Sequence, residues 1–238
     1  SLKSTKIVRL MKKSFLICAA VSQFCGSLFL HGIETTELDL LIVHTSAVTS
    51  NYGDASGVLA HAMASTTSVN DALENSEIPV SFNLVAVEEI SYTESSTSLS
   101  VDLRAIAGKP DGGDPVDPAH AEVLNLRDKY GADLVTLFRD GPASGTAGLA
   151  YILTPANDSE DFGYAVVSDV SALSNLTLAH ELGHNMASAH GRGESGNDPD
   201  PQVDEARGYK FSANAFDYRT IMSIDSDYSR IEHFSNPN

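Results

Sequence analysis

The stretch "HELGHNMASAH", residues 180–190, holds three histidines and one glutamate in eleven positions. On a helix turning about 100° per residue, His180 and His184 stand one turn apart on one face, a spacing that lets two imidazoles share a metal ion. Glu181 is rotated one step round, beside such a metal rather than on it, where it can handle a proton. His190 lies six residues beyond His184. An unbroken helix would carry it about 9 Å further along the axis, out of reach of a Zn–N bond of about 2.0–2.1 Å. It joins the pair only if the chain leaves the helix between Met186 and His190 and doubles back. Three neutral imidazoles would keep the ion's full charge and leave one position for water, whose acidity zinc raises towards neutral pH. With Glu181 to take the water's proton and hand it to a departing amine, amide hydrolysis is the reaction that uses every part.

Elements of the right kind surround this stretch. The apolar run "LDLLIVH", ending at His44, reads as a strand, and "ASGVLAHAMASTTSVNDALENS" has helical spacing of Val58, Leu59, Ala62 and Met63. "VSFNLVAVEEISY" alternates with period two, placing Phe82, Leu84 and Ala86 on one face of a second strand. The acidic turn "PDGGDPVDP" leads into a helix, "AHAEVLNLRDKYG", that Gly131 ends. "ADLVTLF", "GLAYIL" and "YAVVS" read as three further strands. A helix starting near Ser171 or Ser174, either a good N-cap, then carries the histidines. Strands alternating with helices imply an α/β fold with a mixed, mostly parallel sheet, one of the later strands running antiparallel at an edge.

Of 238 residues, 15 are Lys or Arg and 32 Asp or Glu, a net −17, which disfavours nucleic acid and anionic membranes as partners. Residues 1–31 hold five cations and no acid; residues 32–238 carry 10 cations against 32 acids, or −22. Within 1–31, "MKK" at Met11 precedes the apolar run "SFLICAAVSQFCGSLFL", the pattern of a signal peptide with cleavage after Ser27. The expected product is a secreted monomer, membrane-anchored only if that segment stays attached. Both cysteines, Cys18 and Cys25, fall in the segment, so the remaining domain has no thiol and must hold any metal by His and carboxylates. Two acidic loops, 110–117 and 194–205, are candidates for Ca²⁺, though neither matches an EF-hand. His44, His61, His120 and His233 stand singly and read as structural or surface residues.

"HELGHNMASAH" followed by "TIMS" resembles the metzincin zinc endopeptidases, whose pattern is His-Glu-x-x-His-x-x-Gly-x-x-His with a Met-turn. "VSFNLVAVEEISYTES", "YGADLVTLF", "GLAYI" and "FSNPN" are similar to the reprolysin-like bacterial peptidases, the peptidyl-Asp metallopeptidases in particular, from about Glu37 to Asn238. The resemblance implies a twisted sheet with long helices, forming an upper part to about residue 190, and a smaller irregular part over 191–238. It implies zinc on His180, His184 and His190, Glu181 as catalytic base, Met222 as a hydrophobic floor under the imidazoles, and protein or peptide substrates. An extended substrate would pair with the "GLAYI" edge. A preference for cutting before an acidic residue would follow, with Arg219, three residues before Met222, as the cation nearest the expected pocket wall unless Asp217 neutralises it. Ala187 departs from the pattern, standing where the family has Gly, and the family implies further structure beyond Asn238, 16 residues after Met222. Two other readings stay open: a zinc hydrolase of a small amide, and a catalytically inactive zinc-binding or adhesion module.

Overall fold

The apolar run at 39–44 becomes the centre of a sheet. β1 (Thr36–His44) lies between β2 (Val80–Glu89) and β3 (Leu134–Arg139), parallel to both, and is buried from Leu40 to His44. A strand covered on both faces needs no polar alternation, which is why this one reads as unbroken hydrophobicity. The computed structural model describes residues 34–154, 159–195, 201 and 205–236; the expected signal segment, with Cys18 and Cys25, lies outside the described residues. β5 (Tyr164–Ser168) continues the parallel array beyond β3, and β4 (Gly148–Ala150) closes it as an antiparallel edge, in the order β2-β1-β3-β5-β4.

Side-chain alternation along β1 divides the core. Leu38, Leu40 and Ile42 face a layer built from α1 (Ser46–Tyr52), α2 (Ala55–Asn75) and the histidine helix. Leu41 and Val43 face the opposite layer, α3 (Leu99–Ala107) and α4 (Pro118–Tyr130). α2 starts where the Asp54 carboxylate accepts the Ser56 and Gly57 N–H groups, satisfying donors that the first turn leaves unpaired. α4 stops at Gly131, as expected, with φ +71°. α1 and α3 were not foreseen. α3 has its own signals, a Ser98 cap and an apolar face of Leu99, Leu103 and Ile106, but they are short and sit in a Ser-rich stretch.

The smaller part expected over 191–238 is less irregular than foreseen. Within it, β6 (Lys210–Ala213), β7 (Phe216–Arg219) and β8 (Ser229–Arg230) form a second, three-stranded sheet. Its hairpin turns through Asn214 and Ala215, both at positive φ (+53° and +66°), the geometry of a two-residue turn that follows strand twist. Alanine is a poor signal for that turn, so the hairpin was hidden. No helix among the described residues is long and apolar enough to cross a membrane.

Candidate metal centre

The helix that carries "HELGH" is shorter than its N-cap candidates suggested. α5 (Asp169–Ala172) ends at a turn, and α6 (Thr177–Asn185) begins anew. Ser174 caps nothing, because its hydroxyl donates back to the Val170 carbonyl at 2.6 Å. Leu176 enters α6 at φ +55° without a side-chain cap.

At the other end the chain turns where His190 requires it. Ser188 N–H donates to the Gly183 carbonyl at 3.0 Å and Ala187 N–H to His184 at 2.9 Å. This pair of bonds closes a helix through a left-handed residue. That residue is Ala187, at φ +69°, a conformation glycine adopts freely and a Cβ resists. The chain then reverses, and His190 returns to its partners.

Nε2 of His190 lies 3.0 Å from Nε2 of His180 and 3.2 Å from Nε2 of His184. Two nitrogens bound at about 2.0–2.1 Å to one tetrahedral ion would be roughly 3.3 Å apart, so the spacing suits a shared metal. Ring orientation agrees. His180 Nδ1 sits 2.8 Å from the Ile221 carbonyl, and His184 Nδ1 2.8 Å from that of Ser188. A carbonyl only accepts, so each Nδ1 carries the ring proton and each Nε2 presents a lone pair inward. Burial first, and then the charge of His184, hold the His180 pKa well below its ordinary value, which keeps the ring neutral. Packed lone pairs repel unless a cation lies among them, and this donor set fits zinc. Among the described residues, no other three His, Cys, Asp or Glu side chains converge in this way.

Glu181 is 4% exposed, and burial pushes its carboxyl pKa up to about 8, with the positive charge of Arg230 pulling the other way. β4 runs directly over it. A Cβ on Gly148 would come within 2.4 Å of Glu181 Oε1, so glycine there lets the edge strand pass close to the carboxylate. The expected cleft edge and the expected base are neighbours.

Met222 is buried beneath the helix, where a Cβ on Gly183 would come within 2.4 Å of its sulfur. The turn containing it is tied to the His190 loop by a residue that sequence reasoning assigned to a candidate calcium loop. Glu194 accepts Gly191 N–H (3.1 Å), Ser223 hydroxyl (2.7 Å) and Ile224 N–H (2.9 Å), and pairs with Lys210 (3.3 Å). Burial would raise its carboxyl pKa, but these donors together hold it below the usual range. In the other acidic loop, Asp111 pairs with Arg104 and Asp117 caps α4. Neither loop gives calcium support from its described residues.

Arg219 does not pair with Asp217, whose carboxylate takes the Ser212 hydroxyl at 2.5 Å. Its guanidinium donates instead to the carbonyls of Tyr228 (2.9 Å) and Ser223. Three of the single histidines have packing roles. His44 contacts Thr45 and Thr49, His61 stacks on Tyr52 and reaches the Asp169 carbonyl, and His120 reaches that of Ile106. Gly148, Glu194 and Arg230 were missed; their roles rest on contacts between distant segments, for which a single sequence carries no local signal.

Comparison with known proteins gives one consistent result. The profile described as "Metallo-peptidase family M12B Reprolysin-like" matches residues 59–191, more than half of the chain. A peptidyl-Asp metalloendopeptidase of Pseudomonas aeruginosa is 26% identical over 191 residues, covering 76% of this chain and 29% of that protein. The enzyme of the same name from Stenotrophomonas maltophilia is 27% identical over 204 residues, covering 84% of this chain and 45% of that one. The chain thus spans less than half the length of either relative. A solved structure described as "Structure of a chaperone-substrate complex" shares the fold, with a TM-score of 0.60 at 19% identity, over 86% of this chain and 30% of that one.

Proposed function

The chain belongs to the reprolysin-like M12B metallopeptidases, and from that premise we propose that it is a zinc-dependent endopeptidase acting on proteins or peptides. The observation that carries this reading is the convergence of three imidazole nitrogens on one point, next to a buried carboxyl group from the same helix. His180, His184 and His190 would hold the ion. When bound, zinc supplies a Lewis acid that polarises a carbonyl and acidifies water.

The protein's own groups account for the rest. Carbonyls of Ile221 and Ser188 fix two of the rings. Glu181 takes the proton from the attacking water and returns it to the nitrogen that leaves. An extended substrate pairs with the open edge of β4, which brings its backbone over Glu181. The relatives' shared name supports a preference for aspartate beside the cleaved bond. Export is part of the same proposal, on the strength of the basic and apolar pattern in residues 1–31 and the acidic remainder.

The test compares Glu181→Gln with His184→Ala, by metal analysis and peptide hydrolysis. The first should retain zinc and lose about 10²–10⁴-fold in turnover, the usual cost of removing a general base. The second should lose most of its zinc. Wild-type turnover in Glu181→Gln would remove Glu181 from the mechanism. A zinc-loaded parent that cuts nothing would favour an inactive binding module.

A further inference from the structure

The edge strand that passes over Glu181 is tied to the metal helix by one side chain. Asn185 follows His184 and stands four residues beyond Glu181, one turn further along the same face of α6. Its Nδ2 donates to the Tyr151 carbonyl at 2.9 Å and to the Tyr164 carbonyl at 3.3 Å. An amide nitrogen carries two N–H groups and a carbonyl only accepts, so both protons are committed. Tyr151 directly follows β4 and Tyr164 opens β5, so the amide bridges the point where the ladder between these strands runs out. There the bond from Tyr151 N–H to the Tyr164 carbonyl is long, at 3.4 Å. A further bond, from Leu153 N–H to the His184 carbonyl at 3.2 Å, ties the same segment to the helix end.

Holding β4 in this way leaves one group unsatisfied. Asn185 is 1% exposed, and its Oδ1 is enclosed with no hydrogen-bond partner among the described residues. A buried acceptor left unpaired is unfavourable, and an aliphatic side chain of similar size would avoid it. What asparagine supplies, and leucine would not, is the pair of donors that fixes β4 against α6. The strand meets the helix at both ends: Gly148 lies against Glu181, and Tyr151 against Asn185. A substrate paired along β4 inherits its position from that strand, so a shift of β4 moves the scissile bond relative to Glu181 and the three imidazoles. We propose that Asn185 is a positioning residue for peptide hydrolysis, setting the distance between the substrate-pairing edge and the helix that carries the reacting groups. The inference rests on the endopeptidase reading and adds a group that acts through β4 and not on the reacting atoms.

The experiment uses the zinc-loaded full chain and one peptide shortened stepwise to the shortest form that the wild type still cuts. Long forms lie along β4 and the shortest does not, so wild-type kcat/KM should rise with length. Asn185→Leu keeps the volume and removes both donors. It should retain zinc and stay within a few-fold of the parent on the shortest peptide. On the longest it should lose about 10- to 100-fold, the scale of a misplaced substrate. Asn185→Ser keeps one donor and relieves crowding; it serves if the Leu variant fails to fold, and should show the same selective loss. A general weakening of the fold or of the metal site would slow every length equally. Such a uniform loss, a loss of zinc, or full activity on the longest peptide overturns the assignment, as does a wild type whose kcat/KM is flat with length. A zinc-loaded wild type that cuts no peptide overturns the endopeptidase reading, and this inference with it.

Discussion

Ala187 shows how a metal-binding sequence can carry strain in its backbone. It occupies the left-handed position that lets His190 return, at φ +69°. A Cβ in that region costs roughly 1–2 kcal/mol, whereas glycine gives back about 0.5–1 kcal/mol through its freer unfolded chain. Ala187→Gly should therefore be stabilising by a modest margin. For a domain of this size the expected rise in Tm is about 1–4 °C, with peptide hydrolysis within a few-fold of the parent. Paired melting curves of the zinc-loaded proteins decide the matter. A variant that melts clearly lower would mean that the helix end does not depend on a left-handed residue.

At the scale of elements, the feature to explain is how a loop after α6 stays against a turn more than 30 residues later in the chain. Glu194 does this by accepting donors from Gly191 on one side and from Ser223 and Ile224 on the other. Its pKa in the folded protein lies below the usual value. A group with a depressed folded pKa contributes stability that is present above its unfolded pKa, about 4.3 for glutamate, and that is lost as pH falls through the folded value. Glu194→Gln should thus melt below the parent at neutral pH, and the gap should close as the solution is acidified past that range. Melting both proteins across a pH series gives the answer. A gap of constant size would show that the charge of Glu194 is not what holds the loop.

Across the whole molecule, the proposed metal would hold the His190 loop to α6, whose His180 ring is in turn tied to the C-terminal part of the chain. α6 packs on β5 and β4, while His180 also bonds to Ile221, next to the buried Met222. An ion bound only by the folded state stabilises it by mass action, about 2.7 kcal/mol at a hundred times Kd. Chelation should then lower the Tm by about 5–10 °C at this chain size, and added zinc should restore it. Glu181→Gln should show the same drop, since Glu181 is not placed as a ligand, and His184→Ala should show little. Equal melting of the parent with and without chelator would argue against a metal held by these three histidines in the folded state.

Local geometry explains what could be read from the sequence. The pairing of His180 with His184, and the offset of Glu181, follow from helical pitch alone. The five strands of the large sheet followed from runs whose hydrophobicity matches their burial, down to an antiparallel edge in β4. Even the need for a turn near Ala187 could be argued from the distance between His184 and His190. Contacts across long stretches of chain were not legible. The small sheet turns on an unmarked Asn-Ala pair, and α6 starts without a capping side chain. Glu194 looked like part of a solvated acidic loop until the fold brought Ser223 and Ile224 to it. Arg192 is the cation nearest to Glu181 along the chain, yet Arg230, 49 residues away, is the one whose charge acts on Glu181. Sequence alone determined which side chains a single helix could aim at a metal. The tertiary structure decided what surrounds them, because electrostatic and packing forces act through space and the chain's order does not record which distant segments meet.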